Sequence, residues 1–301
     1  MRAVTYAAFG GPEVLHVTAD LPIPEPGPGQ VRIRVAASVL HPVDLMIRAG
    51  QFPAPLPTPP PYTPGWDVAG TIDAAGPSTP HHTIGDTVIG FSHWLRTTVG
   101  THAEYVTLDA DGLTAAPHGI PATAAAALPT NGLTARQALD LLDLPAGSTV
   151  LITGAAGQVG GFTLALARLA GLRATGLARD TDREFIQSQG ARFLPGPDAA
   201  PGSFDAVIDL AVLGPSLMDL VRDGGGYVAA SPPLRPEPTR AIRTHALEVT
   251  PDRERLADLV KLAESGELPL RVAEVHTFAD AAAAHDRLAR GGVRGAIVIT
   301  P

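Results

Sequence analysis

The chain has 301 residues, 45% of them hydrophobic, with no cysteine and a formal net charge of −8. That length supports two domains with cores of their own. The negative charge argues against nucleic acid as the main partner, and the lack of cysteine excludes disulfides and every zinc site that needs thiolates. No apolar stretch reaches the length of a membrane span, and MRAVTYAAFGG lacks the charged head and apolar core of a signal peptide, so a cytoplasmic protein with no membrane partner is expected. Lys261 is the only lysine, which argues against Schiff-base catalysis.

Residues 1–117 read as a β-rich unit: short apolar runs at Val31–Val39, Val68–Ile72 and Thr87–Phe91 are separated by proline and glycine turns. Residues 51–64, QFPAPLPTPPPYTP, carry too much proline for a helix or a central strand. They form either a stiff connector or one wall of a pocket, and Phe52, Tyr62 and Trp94 are the bulky side chains placed to line it. From Ile120 the pattern turns helical, with helices expected at Pro121–Leu128 and Thr134–Leu142.

Residues 149–179 are the most informative stretch. An apolar strand, Thr149–Thr153, runs into Gly154-Ala155-Ala156-Gly157-Gln158-Val159-Gly160, then a helix to Gly171 and a second strand, Ala174–Ala178. This order places a pyrophosphate on a helix N-terminus. Gly154 serves the tight turn, Gly157 the approach of the phosphates, and Gly160 the packing of helix on strand. At the end of the second strand a cofactor with a free 2′-hydroxyl usually meets an acidic residue. Here Ala178 leaves room for a 2′-phosphate, Arg179 offers a guanidinium to pair with it, and Arg183 a second charge. The alternative has Arg179 solvated and Asp180 on the ribose hydroxyls; NADPH is favoured over NADH.

Further alternation follows: helix Thr181–Gln189, strand Phe204–Leu210, helix Pro215–Arg222 and strand Tyr227–Ala230, the pattern of a parallel sheet with helices on both faces. An amphipathic helix at Pro251–Ser265 precedes a strand, helix and strand at Arg271–Phe278, Ala279–Arg290 and Ala296–Thr300. No Gly-x-Ser-x-Gly elbow and no Gly-Lys-Ser/Thr phosphate loop is present.

Several motifs then fall in order. They are His41-Pro42-Val43-Asp44 with Arg48-Ala49-Gly50, Pro64-Gly65-Trp66-Asp67-Val68-Ala69-Gly70, Gly85-Asp86-Thr87-Val88-Ile89-Gly90 and Gly100-Thr101-His102-Ala103-Glu104-Tyr105. Leu128-Pro129 with Gly132-Leu133-Thr134-Ala135, the glycine motif, Asp205–Asp209 and Gly224–Val228 complete the set. Together they resemble the medium-chain dehydrogenase/reductase superfamily, in its zinc-independent quinone oxidoreductase (zeta-crystallin-like) branch. The resemblance implies an α/β fold: a GroES-like β-rich catalytic domain at 1–117, a Rossmann-type doubly wound parallel sheet binding NADPH at 118–267, and a return to the catalytic domain at 268–301. Zinc-dependent relatives carry a Cys in the first motif and Gly-His-Glu in the second. This chain has His41 and Gly65-Trp66-Asp67, so no metal is expected.

The implied reaction is hydride transfer to a small-molecule quinone or α,β-unsaturated carbonyl compound, with charge growing on the carbonyl oxygen. Alternatives are an enoyl reductase of polyketide or secondary-metabolite tailoring and a non-catalytic NADPH-binding protein. The resemblance assigns Thr134 to the nicotinamide ribose, Ala229-Ala230-Ser231 to the carboxamide and Arg294 to a closing contact. His41 replaces the family's Asn and either donates a hydrogen bond to substrate or ribose or only satisfies its turn. Phe52 replaces a Tyr found in many relatives, leaving Tyr62 as the other candidate donor, with water as the remaining proton source. Asp44 is expected to hold local backbone. The absence of Arg and Lys from 51–64 favours a neutral substrate over a coenzyme A ester. The family also implies a homodimer, with a sheet-edge strand near Gly226–Ala230 at its interface.

Overall fold

A computed structural model describes residues 1–52, 55–79 and 81–301; Pro53 and Ala54 of the proline-rich segment, and Pro80, lie outside the described residues. The chain forms two compact units, one of residues 1–130, 250–264 and 270–301, the other of 131–249 and 265–269.

In the first unit β1 (Ala3–Thr5) and β2 (His16–Thr18) pair as an antiparallel ribbon. The chain continues through β3 (Gln30–Leu40), α1 (Pro42–Arg48), β4 (Asp67–Ala75), β5 (Thr87–Phe91), the single-turn α2 (Trp94–Thr97), β6 (Tyr105–Asp109), β7 (Thr114–Ala115) and α3 (Ala122–Ala125). β3 is the centre of this unit: it pairs antiparallel with β4 along one edge and with β6 along the other. Val31, Ile33 and Val35 lie on one face of it by the period-2 rule and meet Val68, Ile72, Val88, Val106 and Leu113 in a buried cluster.

The second unit opens with most of α4 (Pro129–Leu142) and runs through β8 (Thr149–Thr153), α5 (Gln158–Leu169), β9 (Arg173–Leu177), α6 (Arg183–Ser188), β10 (Arg192–Leu194), β11 (Phe204–Asp209), β12 (Val221–Ala229) and β13 (Arg243–Ala246). The strands form a parallel sheet in the order β10-β9-β8-β11-β12-β13. Its two faces are both covered. Val150, Ile152, Ile208 and Val228 point to a cluster with Leu142, Leu164, Ala167 and Ile186. Their strand neighbours Leu151, Val207 and Tyr227 point the other way, onto Leu217, Met218, Leu220 and Ile242. A strand buried on both faces must be apolar at successive positions, and the run at 150–152 is.

The return to the first unit comprises α7 (Arg253–Glu264), β14 (Val272–Thr277), α8 (Ala281–Ala289) and β15 (Ala296–Thr300). β15 pairs antiparallel with β3 and parallel with β14. α7 belongs to this unit, where Glu264 accepts the His118 N–H at 2.7 Å.

Two expectations are corrected. Gly214–Leu220 forms successive 3₁₀ turns, not an α-helix reaching Arg222. The Asp209 carboxylate takes the N–H groups of Leu213 and Gly214, and the Tyr227 hydroxyl donates to the Gly214 carbonyl, so tertiary bonds hold the backbone where a helix would start. The strand containing Gly226–Ala229 is not an edge. β12 lies between β11 and β13, and β13, which the sequence pattern does not announce, closes that side of the sheet.

Candidate functional site

The glycine motif folds as a turn between β8 and α5. Gly154 has φ +60°, a left-handed conformation that favours glycine, and its carbonyl accepts the Gly157 N–H at 2.9 Å. Gly157 is the N-cap of α5. At Gly160 a Cβ would collide with the Gly154 carbonyl oxygen and come within 2.6 Å of the Ala155 Cα, so the helix is seated directly on the turn. Ala155 is wholly buried, and the Val159 carbonyl accepts the Thr163 hydroxyl within the helix. Gln158 is 8% exposed; its Nε2 donates to the Pro269 carbonyl at 3.3 Å, while its Oε1 is buried without a partner among the described residues.

The neighbouring strands are parallel, so their C-terminal ends gather on one edge of the sheet. That edge carries Gly154–Gly160 after β8, Ala178 and Arg179 after β9, and Ala229, Ala230 and Ser231 at the end of β12. The order reverses between β8 and β11, the switch point at which open parallel sheets take ligands. Asp209 stiffens this edge by accepting the Thr153 hydroxyl at 2.7 Å and the Tyr227 hydroxyl at 2.9 Å, in addition to the two loop N–H groups. Ala230 N–H donates to the Asp209 carbonyl at 3.1 Å. Thr134 is half-buried on α4.

Arg179 is exposed; its carbonyl accepts the Asp182 N–H at 2.9 Å, and its guanidinium makes no ion pair or hydrogen bond among the described residues. Arg183 differs. Its guanidinium donates to Asp180 at 2.9 Å and lies 4.2 Å over the Phe193 ring, so its charge is already paired and Asp180 is already engaged. A turn that excludes a Cβ at the N-terminus of α5 and a free guanidinium on the same sheet edge suit a pyrophosphate and a 2′-phosphate.

The second group of residues lies in the first unit. His41 precedes α1, and its Nε2 is 2.5 Å from Asp67 Oδ2; the two side chains are 9% and 0% exposed. Asp67 Oδ1 accepts the Thr130 N–H at 2.7 Å, in the first turn of α4. Asp44 reaches back to the His41 N–H at 2.8 Å, half of a capping arrangement, and accepts the Gly65 N–H at 3.0 Å. Asp44 therefore holds backbone, as its position suggests. Burial opposes the charged imidazole of His41, but the Asp67 carboxylate and the nearby Asp44 outweigh it and raise its pKa. Burial lifts the Asp44 carboxyl to about 6, against the pull of His41 and the two backbone N–H groups.

The remaining expected residues are placed otherwise. Tyr62 is 6% exposed; its hydroxyl donates to the Thr58 carbonyl at 3.0 Å, and its ring packs against Tyr6, Phe9 and Trp94. Its proton is committed within its own loop. Trp94 is 1% exposed and donates its indole N–H to the Thr63 carbonyl at 2.7 Å, which makes it a core residue and not a pocket wall. Phe52 is half-buried. Arg294, also half-buried and in the first unit, donates to the Val293 carbonyl at 3.4 Å. Among the described residues no group of three or more His, Asp or Glu side chains is arranged to hold a metal ion.

Comparison with known proteins agrees with this geometry. Residues 27–118 match the alcohol dehydrogenase GroES-like domain and residues 183–299 the zinc-binding dehydrogenase domain. The chain is 29% identical to the NADPH-dependent alkenal/one oxidoreductase, chloroplastic, of Arabidopsis thaliana, over 89% of this chain and 70% of that protein. It is 38% identical to the quinone oxidoreductase of Rattus norvegicus, over 64% of this chain and 57% of that one. The structure of the quinone oxidoreductase from Coxiella burnetii superposes with a TM-score of 0.87 at 28% identity, covering 100% of this chain and 99% of the other. The chain belongs to the medium-chain dehydrogenase/reductase family. Among the described residues the zinc in the name of the second matched domain finds no ligand set: Trp66 and the His41-bound Asp67 occupy the second motif, and the sequence has no cysteine.

Two histidines that the sequence leaves scattered are buried in the first unit. His102 and His285 are 0% exposed, and burial, reinforced by neighbouring positive groups, pushes each down to about 3 from 6.5. Folded, they bind fewer protons than the unfolded chain between those values, so they stabilise fully above pH 6.5 and lose that contribution as pH falls towards 3. Asp44, raised from 3.8 to about 6, works in the opposite sense but over a narrower range. Stability is therefore expected to drop as pH falls below 6.5. In His285→Leu, urea unfolding between pH 6.5 and 4 should depend on pH less steeply, by up to about 1.4 kcal/mol per pH unit. An unchanged slope would mean that His285 is not held neutral.

Proposed function

We propose that this chain is a zinc-independent, NADPH-dependent reductase that delivers hydride to a quinone or an α,β-unsaturated carbonyl compound. The observation that carries the reading is the glycine turn beneath α5 with the unpaired Arg179 on the same sheet edge. The names of the relatives, an alkenal/one oxidoreductase and a quinone oxidoreductase, point the same way. When bound, NADPH supplies the hydride.

The chain's own residues hold and orient. The turn Gly154–Gly160, with Ala155, Gln158 and Val159, takes the pyrophosphate; Ala178 leaves space for the 2′-phosphate and Arg179 pairs with it. Arg183 acts on that site only indirectly, by occupying Asp180. Thr134 takes the nicotinamide ribose, Ala229, Ala230 and Ser231 the carboxamide, and Arg294 a closing contact. The His41–Asp67 pair supplies a proton to the oxygen on which charge grows, and its burial keeps competing water away. The working form is a homodimer joined at β13, the strand that ends the parallel sheet.

Loss of NADPH absorbance with a panel of quinones, enones and enoyl thioesters tests the reaction; no oxidation with any of them refutes it. Arg179→Ala should weaken NADPH binding by roughly 1.5–3 kcal/mol, the range for a charged hydrogen bond, and leave NADH nearly unaffected. Equal affinity of the unaltered protein for the two cofactors contradicts the assignment. His41→Ala should slow turnover about ten- to a thousandfold with NADPH affinity little changed, whereas unaltered turnover would make His41 a structural residue. Sedimentation equilibrium at micromolar concentration should give the dimer mass, and a monomer mass would remove the β13 interface.

A further inference from the structure

Three neighbouring strands of the first unit carry a row of unused donors on the sheet face turned away from the core. Arg34 on β3 stands opposite Thr71 on β4 and Tyr105 on β6, and residues directly opposite in antiparallel strands share a face. Their chain neighbours Ile33, Val35, Ile72 and Val106 point the other way, into the buried cluster. Arg34 is exposed, and Thr71 and Tyr105 are half-buried. The row opens into a cleft of about 440 Å³, lined by these three residues together with Ala36, Glu104 and Pro301, all within this unit. That volume falls in the range of small-molecule sites, roughly 300–1,000 Å³.

The charges around the cleft are matched except at Arg34. Arg32, two residues earlier on β3, gives its guanidinium to Asp73 at 2.9 and 3.3 Å and to Glu25 at 3.2 Å. It also lies 5.7 Å from the centroid of the Tyr105 ring. Glu104 is the one acidic side chain in the lining. Its two oxygens accept the Arg2 backbone N–H at 2.7 Å and the Arg2 Nε–H at 2.8 Å, and these bonds hold its carboxyl below the usual carboxylate range. The Arg34 guanidinium has no hydrogen bond or ion pair among the described residues, neither with Glu104 nor with Pro301. The hydroxyls of Thr71 and Tyr105 are likewise without a hydrogen-bond partner there, and neither is sealed from solvent.

A carboxylate presents two oxygens, which a guanidinium fork fills by itself. A phosphate group presents three, enough for the fork and for both hydroxyls. We propose that this cleft binds a phosphate group, free or as a small monoester, with Arg34 paired to two of its oxygens and Thr71 and Tyr105 donating to the third. The cleft has room beside the phosphate for the organic part of a monoester. The inference does not rest on the reductase reading, because the glycine turn and Arg179 belong to the other unit.

The test follows backbone amide and arginine Nε–H resonances of the nitrogen-15-labelled protein as inorganic phosphate or glycerol 3-phosphate is added at constant pH and ionic strength. Resolving the shifts by residue separates this cleft from the glycine turn, which is itself suited to phosphate. Saturable shifts are expected at Arg34, Thr71 and Tyr105, with a Kd of roughly millimolar order. Arg34→Gln should weaken that binding about ten- to a hundredfold, as loss of a charged hydrogen-bonding group does. Tyr105→Phe, which keeps the ring beside Arg32, and Thr71→Val, which keeps the β-branch, should each weaken it about three- to tenfold. Shifts at Gly154–Gly160 should be the same in all three variants, and unchanged core resonances at Val68 and Val88 show that the first unit is intact. Tighter binding of glycerol 3-phosphate identifies a monoester as the ligand and equal binding identifies free phosphate; either result supports the site. No saturable shift at the row with either probe, or equal affinity in the unaltered protein and Arg34→Gln, overturns it.

Discussion

The first unit is organised around a carboxyl group that has no access to water. Asp67, at 0% exposure, can stay in the interior only if its lone pairs are taken. Thr130 N–H takes one oxygen and the His41 imidazole the other. Three segments far apart in sequence are thereby fixed to one point: the entry to α1, the start of β4 and the first turn of α4. A negative group at the N-terminus of α4 is also favoured by the helix dipole. Asp44 repeats the device one helical turn away, joining the His41 backbone to Gly65. The price of two buried acids is met by four hydrogen bonds that leave His41 one conformation.

The second unit uses the same logic with different residues. Asp209, 2% exposed at the end of β11, gathers two hydroxyls and two loop N–H groups. Those bonds shape the sheet edge beside the glycine turn. The rest of the unit is apolar alternation on both faces of a parallel sheet, which needs no polar specification beyond its ends. Rigid strands thus present a short list of backbone and side-chain groups along one edge, Arg179 among them, and leave the guanidinium free because Arg183 has already claimed the local carboxylate.

Where physics acts locally, the sequence is legible. The strand, turn, helix and strand of 149–177 follow from apolar runs of the right length and from glycines at a turn and a packing contact, and they form as expected. Arg183 and Asp180 lie three apart, so their pairing was readable from spacing alone; the competing reading of each as a cofactor contact hid it. Longer-range effects leave no periodic trace. The His41–Asp67 contact joins positions 26 apart, and the commitment of the Tyr62 hydroxyl depends on how a proline-rich loop folds back on itself. β13 is a four-residue edge strand with a mixed pattern, so its absence from the expected order moved the sheet edge to β12.

The central claim is that Asp67 holds a buried His41 in its charged, proton-bearing form. Nitrogen-15 chemical shifts of the His41 ring, followed from pH 4 to pH 9 in the labelled protein, test it most directly. The account predicts a titration midpoint above the ordinary imidazole value in the unaltered protein, and one below it in Asp67→Asn, where burial acts without its counter-charge. A His41 that titrates at or below the ordinary value while Asp67 is in place would contradict it.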